Sequence, residues 1–279
     1  MKFQNENEAM KRDVAVIMSV YKSDCPDKFK EAVSSVLYQS YVCDLYIYQD
    51  GEIPKRLKSE VDKISELANV YIFSSNVNKG LAHGLNYLID KSLRRNYMYV
   101  ARMDSDDISH ATRIERQVNY FELNPEVDVL GTSCKEFGAP YALEEKHLPK
   151  DHKSLCSYSV TRCPFIHPTV MFRSRVFERG FRYPQNTTLT EDMALWFELL
   201  KAGFIFGNIN EVLLDYRLNE STLSRRRGIK KALSEFNIRF KYMVSLNEVS
   251  ARNIFLIASR IFFHLLPPRA LKFAYSKLR

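Results

Sequence analysis

Tyr97-Met98-Tyr99-Val100-Ala101-Arg102-Met103-Asp104-Ser105-Asp106-Asp107 is the stretch of this 279-residue chain whose reading decides the fold. Residues 97–103 form a short, mostly apolar and aromatic run, sized for a buried strand. It ends in four polar residues, three of them carboxylates. Working back from there, the same arrangement occurs at three earlier places. Residues 14–20 are an apolar run followed by Tyr21 to Asp24. Residues 45–49 lead into Asp50-Gly51, and residues 70–73 lead toward Asn78 to Gly80. Helical stripes lie between these runs. Phe29, Ala32, Val33, Val36 and Leu37 follow a 3.6-residue period, as do Leu57, Val61, Ile64 and Leu67. Ser23 or Asp24 is expected to cap the first helix, with Pro26 in its first turn. A third helix is expected over 81–93. This alternation predicts βαβ units and a mostly parallel sheet flanked by helices. Such sheets bind ligands beyond the carboxyl ends of their strands, where all four polar clusters fall. Turns favour the same residue types, so the clusters are also compatible with plain punctuation.

Beyond residue 125 the pattern is less regular. Strands are expected over 127–130 and 169–172, and a loop over 138–149. Thr190 is expected to cap a helix that reaches about Ala202, with Gly203 as its stop. The one clear boundary is a shift in composition near 221. Residues 221–279 hold 13 of the 41 Lys and Arg but only two of the 33 acids, Glu235 and Glu248. The net charge of +8 therefore belongs to the tail, and residues 1–220 are slightly acidic. A basic segment seeks a polyanion, either nucleic acid or an anionic bilayer. The five cysteines form no CxxC pair, which argues against a zinc site or disulfide framework and for reduced thiols in the cytosol. The N-terminus lacks the apolar core of a signal peptide, and no run is long and apolar enough to span a bilayer.

Several residue patterns could carry chemistry. In an extended segment, residues i and i+2 share a face, so Asp104 and Asp106 are expected together and Asp107 opposite. Converging carboxylates repel unless a cation or an arginine joins them. Mg²⁺ or Mn²⁺ accepts such oxygens and keeps positions open for phosphate. The bland account is an acidic turn. A second constellation is Thr190-Glu191-Asp192, followed by Leu195 and Trp196. Acids in a first turn suit the helix dipole and need no further purpose. The functional account makes Asp192 a general base. The dipole would lower its pKa, so that role calls for desolvation by Trp196 and bound substrate. His167, between Ile166 and Pro168, is open to two readings, a structural hydrogen bond or a place in an acceptor pocket. The other histidines show no metal-ligand spacing. There is no GxxxxGK[ST] loop, no GxGxxG after the first strand and no GxSxG elbow.

In order and spacing, these pieces resemble the family 2 glycosyltransferases of the GT-A fold, above all bacterial members that build O-antigen and capsule repeats. The run Val16-Ile17-Met18-Ser19-Val20-Tyr21, then Asp50-Gly51, Asn78 to Asn86, Ala101 to Asp107, His167-Pro168-Thr169 and Glu191-Asp192 carry the likeness over about 13–220. The resemblance implies a GT-A domain over 1–220 and a basic, helical tail over 221–279. It implies a hexose, glucose or galactose, moved from a UDP-sugar to a lipid-diphosphate-linked saccharide with inversion. Val20 and Tyr21 would line the base and ribose pocket, and Asp50 would hydrogen-bond the uracil. Asn78 to Gly80 would close over the nucleoside. Arg102, Asp104, Ser105 and Asp106 would face the donor, with Asp104 and Asp106 on Mn²⁺ or Mg²⁺. Asp192 would be the base, and His167, Glu191 and Trp196 would meet the acceptor.

The chain departs from the family pattern after the base helix. Members often carry Tyr-Arg-x-His there, whereas this chain has Tyr216-Arg217-Leu218-Asn219. Asn219 offers a hydrogen bond but no charge, and Arg225 to Arg227 are the alternative diphosphate contact. The QxxRW signature of processive synthases is absent, so one sugar per turnover is expected. In the tail, Ile254, Ile257, Ala258, Ile261 and Phe262 recur at helical spacing beside Arg252 and Arg260. Such a helix suits the inner face of the cell membrane, with the enzyme cytoplasmic and peripheral. A helical subdomain packed on the catalytic domain is the plainer reading of the same residues. Two rival functions remain at this level. A nucleotidyltransferase would start with a Gly-rich, Arg-containing loop, which 19–26 lacks. A pure polyanion binder is the other, though no nucleic-acid module is recognisable.

Overall fold

The structure, a computed structural model, describes residues 12–187, 190–218 and 229–265. The readings made on 1–11, on Asn219, on Arg225 to Arg227 and on 266–279 lie outside these residues. Four parallel strands form the N-terminal half of the sheet: β1 (Val14–Tyr21), β2 (Asp44–Asp50), β3 (Val70–Ser75) and β4 (Tyr99–Met103). They alternate with α1 (Pro26–Leu37), α2 (Lys55–Ile64) and α3 (Leu81–Leu93). Then follow β5 (Ile108–Ser109), α4 (Arg113–Leu123), β6 (Val129–Phe137) and α5 (His152–Ser159). A 3₁₀ turn at His167–Thr169 leads to β7 (Met171–Arg173), α6 (Arg175–Glu178), α7 (Glu191–Lys201) and β8 (Phe206–Arg217). The eight strands lie in the order β3-β2-β1-β4-β7-β6-β8-β5. Only β7 and β5 run antiparallel to their neighbours. The expected mixed α/β architecture is therefore present.

Strand β1 explains why the apolar runs read so clearly. Its side chains alternate between two cores, as a pleated strand requires. Val14, Val16, Met18 and Val20 face one core, beneath α1, α2 and α4, while Ala15 and Ile17 face the other, beneath α3, α5 and α7. A strand buried on both faces shows no polar alternation. Two glycines allow the loops to close on the sheet. Gly51 has φ +86°, and a Cβ there would lie 2.9 Å from the Asn78 nitrogen. Gly84 brings α3 so near the sheet that a Cβ would lie 2.8 Å from the Tyr48 ring.

Several local expectations change. The N-cap of α1 is Cys25 and has no side-chain cap, so neither Ser23 nor Asp24 plays that part. Thr190 precedes α7, but its hydroxyl does not cap the helix and lies 3.4 Å from Ser234 Oγ. Strand β8 is an addition to the expected elements. Asn208, Asn210 and Glu211 interrupt its apolar pattern, and its pairing with β6 shifts register twice. Polar residues of this kind are depleted in strands, so the signal is masked.

The basic tail is docked where it is described. Helices α8 (Ile229–Ser245) and α9 (Ala251–Leu265) pack on one another. Tyr242 of α8 stacks on Phe197 of α7, with ring centroids 4.8 Å apart. Buried Arg239 donates to Glu235 and to the carbonyls of Ser159 and Val160, and Arg260 reaches the same Glu235 oxygen. A buried carboxylate requires such partners. One of the tail's two acids thus helps join the two helices and, through Arg239, the body of the protein. No helix among the described residues is long and apolar enough to cross a membrane.

Candidate active site

Beyond the carboxyl ends of β1 and β4 lies the acidic turn at 104–107, held from three places in the chain. Asp104 is ion-paired with Arg102 from within β4. Ser105 Oγ donates to Asp24 Oδ2 at 2.9 Å, and the Tyr21 amide donates to the same oxygen at 3.0 Å. Arg217, at the end of β8, donates from Nε to the Asp106 carbonyl and from its backbone amide to Asp107 Oδ1, both at 2.7 Å. The Arg217 guanidinium also reaches Glu31 of α1. As expected, Asp107 turns inward, while Asp104 and Asp106 stay partly exposed. Burial, then the charges of Asp104 and Asp106, push the Asp107 carboxyl well above the usual range. Burial is also the main cause that raises Asp24, to about 6, with Asp106 and Asp104 adding to it.

A second constellation lies on the α3 and α7 side of β4. Tyr183 sits in the irregular chain before α7. Asn86 of α3 holds it by two bonds of 2.8 Å, one donated to the Tyr183 carbonyl and one accepted from its amide. Its phenol is 2.9 Å from His167 Nε2. Burial raises the Tyr183 pKa. Arg102, Asp192, Glu191 and Asp104 are all near enough to be felt there. Burial and Arg102 hold the half-buried His167 well below its ordinary pKa, so it stays neutral. The charges of the acidic turn and of the start of α7 are thus both felt at the same phenol. Glu191 and Asp192 are partly exposed in the first turn of α7.

At the end of β2, Asp50 is buried. Its oxygens accept from the amides of Lys79 at 2.7 Å and Gly80 at 2.9 Å, and Asn78 Nδ2 donates to its carbonyl. Asp50 thus fastens the loop that starts α3, a job its place in the sequence does not announce. Two other residues need correction. Val20 is fully buried in the core, so its side chain lines no pocket. Trp196 is also fully buried, among Phe165, Phe172 and Phe206, and touches no acceptor surface.

Comparison with known proteins decides the family. The family model described as Glycosyl transferase family 2 matches residues 15–186. This chain is a family 2 glycosyltransferase. A UDP-Gal:alpha-D-GlcNAc-diphosphoundecaprenol beta-1,3-galactosyltransferase of Escherichia coli is 32% identical over 269 residues, 95% of each chain. The amylovoran biosynthesis glycosyltransferase AmsE of Erwinia amylovora is 27% identical over 95% of this chain and 98% of its own length. Among solved structures, S. aureus TarS in complex with UDP matches 94% of this glycosyltransferase and 74% of its own chain, with a TM-score of 0.60 at 14% identity. The mannosyltransferase PcManGT of Pyrobaculum calidifontis, in complex with GDP-Man and Mn²⁺, matches 95% and 74%, with a TM-score of 0.61 at 15% identity. The fold is thus the GT-A type, and the relatives include enzymes of bacterial lipid-linked polysaccharide assembly. The nucleotidyltransferase and the pure polyanion binder fall away.

Three contacts around the candidate site of this glycosyltransferase are not visible in the sequence. Asp24 reads there as a helix cap. Arg217 reads only as part of a motif whose histidine is missing. Tyr183 carries no signal, because it lies between Arg182 and Pro184 in a stretch without periodicity. Asn86, its anchor, does belong to the quoted family motif.

Proposed function

We propose that the chain is an inverting hexosyltransferase. It moves galactose or glucose from a UDP-sugar to a hydroxyl of a saccharide carried on a lipid diphosphate. The carrying observation is that the charges of Asp104, Glu191 and Asp192 are all felt at the buried Tyr183 phenol, which meets His167 at 2.9 Å. A donor's leaving group and an acceptor's hydroxyl would meet between those acids. The 32% identity to a UDP-galactose-dependent enzyme favours galactose.

In this reading Asp192 takes the proton of the acceptor hydroxyl as the bond to the anomeric carbon forms. The dipole of α7 favours its charged form, and the arriving acceptor desolvates it, which restores basicity. Glu191 and His167 orient the acceptor. Tyr21, the remaining lone pairs of Asp50, and the loop of Asn78 to Gly80 hold the nucleoside. Asp106 and the second oxygen of Asp104 would hold Mn²⁺ or Mg²⁺. The hard oxygens fit such an ion, and the Arg102 pair leaves Asp106 as the stronger ligand. Among the described residues no group of three or more His, Cys, Asp or Glu is arranged to hold a metal alone, which suits an ion completed by donor phosphate. An ion held by these residues would supply positive charge against the departing diphosphate. Exposed Phe255 and Ile254, beside Arg252 on α9, suit contact with an anionic bilayer at its cytoplasmic face.

The test is a donor screen. Purified protein, Mn²⁺ and a lipid-diphosphate N-acetylglucosamine are mixed with a panel of UDP- and GDP-sugars, and free nucleoside diphosphate is followed. UDP release from UDP-galactose or UDP-glucose, lost on adding a chelator, is the expected result. Turnover of GDP-sugars alone, or of none, would sink the reading.

A further inference from the structure

We propose that Asp24 is a positioning residue that couples the nucleoside end of the site to its cation end. The role rests on the donor reading above. Strands β1 and β4 lie side by side, and their last paired residues are Met18 and Met103. Past that point β4 ends in the acidic turn, while β1 runs on beside β2 to Tyr21 before its own loop begins. Asp24 rejoins them: one of its oxygens accepts both the Tyr21 amide and the Ser105 hydroxyl. The Asp24 amide in turn donates to the Tyr21 carbonyl at 3.0 Å, which closes the first loop into a turn. Ser105 is buried, and it sits between the two carboxylates proposed for the cation.

The residue type adds to the argument. An asparagine would close the Tyr21 turn equally well. A carboxylate at this position stands near Asp104 and Asp106 and repels both. The Ser105 hydroxyl offsets part of that repulsion, and a cation on Asp106 offsets more. The bond geometry of the Tyr21 turn and the charge of the acidic turn therefore share one side chain. What favours one arrangement favours the other, and the linkage is reciprocal. A cation on Asp106 thereby tightens the turn that meets the nucleoside.

Three variants test this: Asp24→Ala, Ser105→Ala and the shape-conserving Asp24→Asn. In ligand-free protein, amide hydrogen exchange across 104–107 should quicken in both alanine variants. By calorimetry, the gain in UDP affinity on adding Mn²⁺ should fall about tenfold in each, a size typical of one bond to a charged group. The double alanine variant should lose no more than Asp24→Ala alone, because the bond that Ser105→Ala removes is already gone there. Asp24→Asn should keep the fold and the metal-free UDP affinity yet lose part of the Mn²⁺ gain. Unchanged exchange in the alanine variants, or losses that add in the double variant, would overturn the coupling. If exchange quickens but even the unaltered protein gains no UDP affinity from Mn²⁺, the positioning of the turn stands and the donor reading fails.

Discussion

The acidic turn at 104–107 and the start of α7 both carry partly exposed aspartates, yet they are held in different ways. Residues far apart in sequence pin the turn: Asp24, Arg102 and Arg217 each hold one part of it. The start of α7 is held from behind. Met193 to Phe197 are buried, with Trp196 in the main core and Phe197 against Tyr242, while Glu191 and Asp192 remain partly exposed. The difference matches what each region would do. Clustered charge that must not move needs many tethers, because carboxylates at this spacing repel. A base that must meet an incoming hydroxyl needs a firm root and an open tip.

The sharpest way to break this contrast is Asp192→Asn. It should lower kcat by roughly 10²- to 10⁴-fold, the usual worth of a general base. UDP binding with Mn²⁺ should stay within about twofold of the unaltered protein, measured by calorimetry. A loss of nucleotide binding instead would mean that the two regions are not separate. Next comes Trp196→Ala, which removes the root of α7. It should destabilise the protein by about 3–5 kcal/mol in chemical denaturation, as expected for a large buried aromatic. A weaker acceptor KM with unchanged stability would return Trp196 to the acceptor pocket.

A smaller effect concerns Asp24 in metal-free protein. Its folded pKa, about 6, lies above the unfolded value near 3.8. The folded state therefore holds the proton more tightly. That contribution is fully present below about pH 3.8 and is lost as pH rises through 6. Asp24→Asn should flatten this part of the stability profile by about 2 kcal/mol between pH 4 and 7, read from denaturant midpoints. Smallest is Tyr183→Phe. Loss of the bond to His167 should cost about 1 kcal/mol of stability. It should also raise the His167 pKa measured by NMR if the phenol helps keep that ring neutral, and leave it unmoved if burial and Arg102 suffice.

Legibility followed chain locality. β1 to β4 could be read because parallel strands buried on both faces are continuous apolar runs. The expected third helix, 81–93, matches α3 residue for residue. Asp104, Asp106 and Asp192 were legible as candidates because each follows directly from its own strand or helix. β8 was not, because Asn208 spends its side chain on the carbonyls of Pro149 and Pro164 rather than on a recognisable strand pattern. Val20 and Trp196 were expected at pockets through the family resemblance, which places a motif along the chain but not the face on which each of its side chains lies.

By itself the sequence determined the order of the first four strands and three helices, the placing of acids at strand and helix ends, and the uneven charge of the tail. These are local properties, set by the spacing of apolar residues and by backbone preferences. Tertiary structure alone decided which partners those acids received. Asp24 meets Ser105, Arg217 meets Asp106, and Tyr183 meets His167 across separations of 81, 111 and 16 residues. Nothing local encodes such meetings, because they come into being only when the sheet brings distant strand ends to one edge.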